Sequence, residues 1–165
     1  MSAPGVPRPG LHDRIATLRS APLLRSFSDV GIRILAQASV VRTVGRGTYA
    51  FRAGDPGDGL SVIARGVLQM RARDGSATLG ELGVGESLGA LSLLAGGEHL
   101  LSAWTPTEVE LVLLSRESFE TLRQEKPGAS LKLLTTLATD LAERLREAKG
   151  PLREFLAWQV SKRQG

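Results

Sequence analysis

Apolar positions recur at helical spacing near the start of the chain: Leu11, Ile15 and Leu18, then Ile32, Leu35 and Ala36 beyond the turn-like segment SFSDVG. This pattern predicts helical structure across 11–38. From Val40 the texture changes to short β-branched runs separated by glycine. VVRTV, TYAFR, LSVIA and GVLQMRAR read as strands, followed by SATLGEL, HLLSAWT and VELVLL. In GVLQMRAR, Leu68, Met70 and Ala72 alternate with Gln69, Arg71 and Arg73, which gives one buried face and one wet face. Asp74-Gly75 follows as a hairpin turn, and GDPGDG at 54–59 supplies another tight turn. After Leu114 the pattern is helical again. Ser115 is placed to cap RESFETLRQ, and Pro127 punctuates before a longer helix through LKLLTTLATDLAERLREA. Gly150-Pro151 then interrupts, because proline lacks an amide donor and crowds the preceding turn; Pro151 suits the first position of a fresh helix.

So many short strands with such brief connections predict antiparallel pairing in a small β-barrel or jelly roll. Repeated βαβ crossovers, each a dozen residues or more, do not fit between them. The order of helix, barrel and helices places the chain in the α+β class. The expected division is a flexible arm over 1–10, N-terminal helices with the barrel over 11–127, and a C-terminal helical segment over 128–165 with a break at 150–151. At 165 residues, with 42% hydrophobic and 23% charged residues, the chain can bury one sizeable core and is not disordered. The absence of cysteine excludes disulfides, thiolate metal sites and thiol catalysis. No run approaches the roughly 18 apolar residues of a membrane span, and MSAPGVPRPG lacks the apolar core of a signal peptide, so a cytoplasmic protein without membrane contact is expected. The net charge is +4, but the basic residues are dispersed and form no stripe suited to nucleic acid.

The stretch GESLGALSLLAGGEHLLSA at 85–103 holds the candidate chemistry. GESLG matches the G-x-S-x-G nucleophile elbow with Ser87 as the serine, yet an elbow needs a parallel strand before it and a doubly wound sheet around it. Here a hairpin precedes, which leaves a glycine turn with a local serine hydrogen bond. Gly83, Gly85 and Gly89 are spaced G-x-G-x-x-x-G, which is not the dinucleotide fingerprint. His12 and His99, the only two histidines, lie in unlike contexts, so no metal site is expected, and His12 reads as a solvated arm residue. No catalytic residue is assigned. What survives is an anion cradle in LGALSLLAGG, where small residues at a helical turn can present backbone N–H groups.

At this point the order of motifs resembles the cyclic nucleotide-binding domain shared by the catabolite activator protein family, cyclic-nucleotide-dependent kinases and gated channels. The likeness runs from about Leu23 to Lys149. GTYAFRAGDPGDGLSVIARGVLQM is similar to that family's first barrel half, and LGELGVGESLGALSLLAGG to the strand and phosphate-binding cassette that follow. The resemblance implies a ligand pocket at the cassette positions Gly89, Ala90, Leu91, Ser92, His99 and Leu100. Two of these depart from the pattern. The family's Gly-Glu-Leu, whose glutamate accepts from the ribose 2′-hydroxyl, is here Gly89-Ala90-Leu91, and its phosphate-pairing arginine aligns with His99. Arginine is permanently charged and bidentate; histidine is neither. Losing one charged hydrogen-bond partner costs about 1.5–3 kcal/mol, so two losses lower affinity by roughly two to four decades. Glu98 adds a negative charge beside the phosphate position. No cofactor is therefore expected, with a cyclic nucleotide the one candidate.

Along the long helix, Leu131, Leu134, Ala138, Leu141, Leu145 and Ala148 recur at spacings of three and four, and Leu152 and Phe155 continue the register. The resemblance implies that this helix forms a dimer seam. Leu134, Ala138, Leu141, Leu145, Leu152 and Phe155 are the expected interface. The chain stops at Gly165, so no helix-turn-helix domain and no DNA contact are expected of it. The sequence thus reads as a non-enzymatic regulatory or adaptor module on a degenerate cyclic nucleotide-binding barrel, acting through a protein partner or as a homodimer. The alternative is a cyclic AMP or cyclic GMP sensor with non-standard ligand contacts.

Overall fold

The computed structural model describes residues 9–162. The arm expected over 1–10 lies almost wholly outside the described residues. Helices α1 (Leu11–Ser20) and α2 (Asp29–Ala38) are joined by a single 3-10 turn at Pro22–Leu24. Ser28 caps α2, its hydroxyl accepting from the Gly31 amide at 3.1 Å. Eight strands follow: β1 (Val40–Val44), β2 (Tyr49–Phe51), β3 (Gly59–Arg65), β4 (Leu68–Arg71), β5 (Thr78–Leu82), β6 (Ser87–Leu88), β7 (Ser102–Trp104) and β8 (Val109–Ser115). The short helix α3 (Ala90–Ala95) lies between β6 and β7. Beyond β8 come α4 (Arg116–Glu125), α5 (Pro127–Glu147) and α6 (Pro151–Lys162). Ser115 caps α4 by accepting from the Ser118 amide at 3.0 Å, as its position in the sequence predicts.

All strand pairs are antiparallel, in two four-stranded sheets ordered β1-β8-β3-β6 and β2-β7-β4-β5. This is the jelly roll expected from the short connections, flanked by helices, and the class is α+β. The central strands of the first sheet, β8 and β3, are buried on both faces. Leu60 and Val62 of β3 and Val112 and Leu114 of β8 join the helical core with Leu24, Ile32 and Phe119. Ile63, Val109 and Leu111 point the other way and pack with Leu68 and Ala103 of the second sheet. Two faces in two cores explain why β3 is buried continuously from Gly59 to Ile63 instead of alternating.

The face of the long helix that meets the core is not the stripe expected at an interface. Its fully buried residues are Leu133 and Leu137, with Ser130 at 4% exposure, and the face that meets the helical core runs through these three. Leu134 is half-buried against the same core, Leu141 and Leu145 are half-buried, and Ala138 and Leu131 are exposed. The expectation that Leu152 and Phe155 continue one register is also corrected. Ala148 leaves the helix with ψ at 134°, Gly150 takes φ of 66°, and Pro151 opens a separate helix. Leu152 and Phe155 are exposed on α6, where the Phe155 and Trp158 rings lie 6.0 Å apart.

Candidate functional site

The site is assembled where the turn at 54–59 meets the segment following α3. Gly57 donates to the Gly97 carbonyl at 2.8 Å, His99 N–H to the Asp55 carbonyl at 2.8 Å, and Gly54 N–H to the His99 carbonyl at 2.9 Å. An isolated bridge between Pro56 and Glu98 continues this pairing. These bonds hold the 97–99 segment against the turn in a fixed register. At the other end, β6 contributes only two residues, paired with Val62 and Ser61 of β3. Gly89 then turns the chain into α3 with φ of 89°. A Cβ there would sit 2.0 Å from the Gly59 carbonyl oxygen, so both the left-handed backbone and the close approach require glycine. Ser87 lies on an antiparallel strand of two residues, whereas a nucleophile elbow follows a parallel strand of a doubly wound sheet.

Between this segment, the second sheet and α5 opens a cleft of about 560 Å³. All six cassette positions singled out in the sequence line it: Gly89, Ala90, Leu91, Ser92, His99 and Leu100. Leu91 and Leu100 are exposed, at 53% and 66%, while Ser92 and His99 are buried. The sequence reading missed other parts of the wall. Phe51 of β2, Met70 of β4 and Leu23 of the 3-10 turn face the cleft, and α5 contributes Asp140, Leu141 and Arg144. Leu141 was expected at an interface and is found in this wall. Leu134, Ala138, Leu145, Leu152 and Phe155 do not line the cleft.

The electrostatics of the cleft are nearly self-contained. The His99 ring lies flat on Phe51, with centroids 3.7 Å apart and planes 9° from parallel. Its Nε2 has no hydrogen-bond partner, and Asp58 Oδ1 stands 3.5 Å away. Asp58 is itself held by Arg42, whose guanidinium donates to its other oxygen at 2.8 Å and to the Ala50 carbonyl at 2.7 Å. A further void touching Arg42, Asp58, Gly89 and His99 has room for about one water molecule. At the rim, Glu98 faces Arg73 at 3.9 Å, and Arg144 donates to Asp140 at 2.8 Å, one helical turn away. Among the described residues that line the cleft, Arg144 is the one permanent cation, and it comes from α5 rather than from the cassette. Among the described residues, no cluster of histidine, cysteine and carboxylate side chains could hold a metal ion. No described helix is long and apolar enough to cross a membrane.

A model of the cyclic nucleotide-binding domain family matches residues 41–126. The CRP-like cAMP-activated global transcriptional regulator of Mycobacterium tuberculosis is 33% identical over 118 residues, covering 70% of this chain and 51% of that protein. The cyclic AMP receptor protein of Thermus thermophilus is 32% identical over 134 residues, covering 79% of this chain and 60% of that protein. The chain thus spans only about half the length of the curated relatives it matches. Among solved structures, the N-terminal domain of a transcriptional regulator from Streptomyces coelicolor A3(2) superposes with a TM-score of 0.70 at 28% identity, covering 83% of this chain and 96% of that one. The family model covers just over half of the chain and spans β1 through α4, so the resemblance read from the cassette and barrel motifs is correct and the protein belongs to the cyclic nucleotide-binding domain family.

Proposed function

We propose that this protein is a non-enzymatic regulatory module whose cassette no longer takes cyclic AMP or cyclic GMP, and which works through protein contact made by its C-terminal helices. The observation that carries this reading is the polar poverty of the cassette. Ala90 offers a methyl group at the ribose position, and His99 is stacked flat on Phe51 with the Asp58 carboxylate beside its Nε2. A cyclic phosphate placed there meets a carboxylate instead of a guanidinium, which is costly in a partly desolvated site. The exposed Leu152 and Phe155 on α6 support a role in docking a second copy or another chain. This reading leaves the protein cytoplasmic and gives the described domain no DNA contact of its own.

Calorimetry tests it. The protein should show no saturable heat with either nucleotide up to about 1 mM, and low-micromolar affinity would refute the reading. Ala90→Glu combined with His99→Arg should gain at least tenfold in cyclic AMP affinity, since it restores both missing partners on a cassette backbone held by Gly89 and the 54–59 turn. The competing reading, a sensor with non-standard contacts, draws support from Arg144 at the rim. It requires measurable nucleotide binding that Arg144→Ala abolishes.

A further inference from the structure

We propose that the cleft takes a neutral, largely apolar small molecule. This rests on the preceding reading that the cassette refuses cyclic nucleotides, and it names what the same cleft accepts instead. At about 560 Å³ the cleft falls within the roughly 300–1,000 Å³ usual for small-molecule sites. Its wall is built by side chains from separate elements that converge without filling it: Leu23, Phe51, Met70, Leu88, Leu101 and Leu141. At its mouth Leu91 and Leu100 remain more than half exposed. Exposed leucines clustered on a concave apolar surface are the area that an occupant removes from water.

The charges select against an ionised occupant. Each charged side chain on the lining has its counter-charge already: Asp140 with Arg144 at 2.8 Å, and Glu98 with Arg73 at 3.9 Å. Asp58, beside His99 Nε2, is engaged by Arg42. An anion or cation entering the cleft would shed water without gaining an unpaired charged side chain, whereas a neutral apolar molecule gives up little hydration. Leu141 and Arg144 belong to α5, so an occupant touches the helix that leads to the proposed docking face.

The experiment is a fluorescence titration of the full chain with the neutral apolar dye N-phenyl-1-naphthylamine, alongside its anionic relative 1-anilinonaphthalene-8-sulfonate. The neutral dye should bind saturably, one per chain, at least tenfold tighter than the anionic one. Leu91→Asp and Leu100→Asp, each at a side chain more than half exposed, should each weaken it at least tenfold while leaving the thermal melt unchanged. Leu79→Asp, equally exposed on β5 outside the cleft, should not weaken it. Trp158→Ser with Val160→Ser reports on a second exposed apolar surface, on α6. Absence of saturable binding, equal affinity for the two dyes, or loss of binding only with the α6 substitutions would each overturn the proposal. Failure here while cyclic AMP is still refused sinks this inference alone. Calorimetric binding of cyclic AMP sinks the preceding reading, whatever the dyes do.

Discussion

Two leucines of α5, eight residues apart, carry opposite predictions. Leu137 has no solvent exposure and packs in the helical core with the N-terminal helices, β3, β8 and α4. Leu137→Ala removes three carbons from a site enclosed on every side, and such changes cost about 2.7–5 kcal/mol once the residual cavity is included. For a chain of this size each kcal/mol moves the melting temperature by about 2–4 °C, so a cost of about 3 kcal/mol lowers it by about 6–12 °C. Leu145 is only half-buried, two turns nearer the end of the helix. Half of the roughly 1.5–3 kcal/mol for burying a leucine is at stake, so Leu145→Glu should cost the folded monomer about 1 kcal/mol. If this end of α5 is the docking face, the same change should dissociate the assembly, because a carboxylate would be buried across the interface without a partner. Urea denaturation at low protein concentration measures the first effect free of association, and light scattering at high concentration measures the second. A loss from Leu145→Glu as large as that from Leu137→Ala would show that Leu145 belongs to the core and would refute the reading that the end of α5 lies outside it. A Leu137→Ala cost below about 1 kcal/mol would refute the assignment of the core face.

Two further substitutions probe the elements that hold the site. Gly89→Ala should destabilise the protein by at least about 1–2 kcal/mol from the left-handed backbone alone, and by more because its Cβ would meet the Gly59 carbonyl oxygen at 2.0 Å; an unchanged melt would show that the β6–α3 turn can relax. Ser115→Ala removes the hydroxyl that accepts from the Ser118 amide at 3.0 Å and should cost about 1 kcal/mol in urea denaturation, whereas Ser115→Asp should retain most of that stability.

Local rules made much of this molecule legible in the sequence. Ser115 opens a helix because its hydroxyl answers an amide three residues away, and Gly150-Pro151 ends one because proline has no donor to offer. Short β-branched runs with tight turns between them leave antiparallel pairing as the workable solution, and the cassette motifs carried the family. Tertiary structure decided the rest. Leu131, Leu134, Ala138 and Ser130, Leu133, Leu137 are both apolar or small stripes at helical spacing, and periodicity cannot say which one turns toward the barrel. The packing chose the second, and it placed Leu141 and Arg144 over the cleft. The stack of His99 on Phe51, the Asp58 carboxylate beside its Nε2 and the Arg42 that holds Asp58 join residues far apart in sequence. Such a contact leaves no periodic trace along the chain, because it depends on how two sheets and a turn are brought together rather than on the spacing of neighbours.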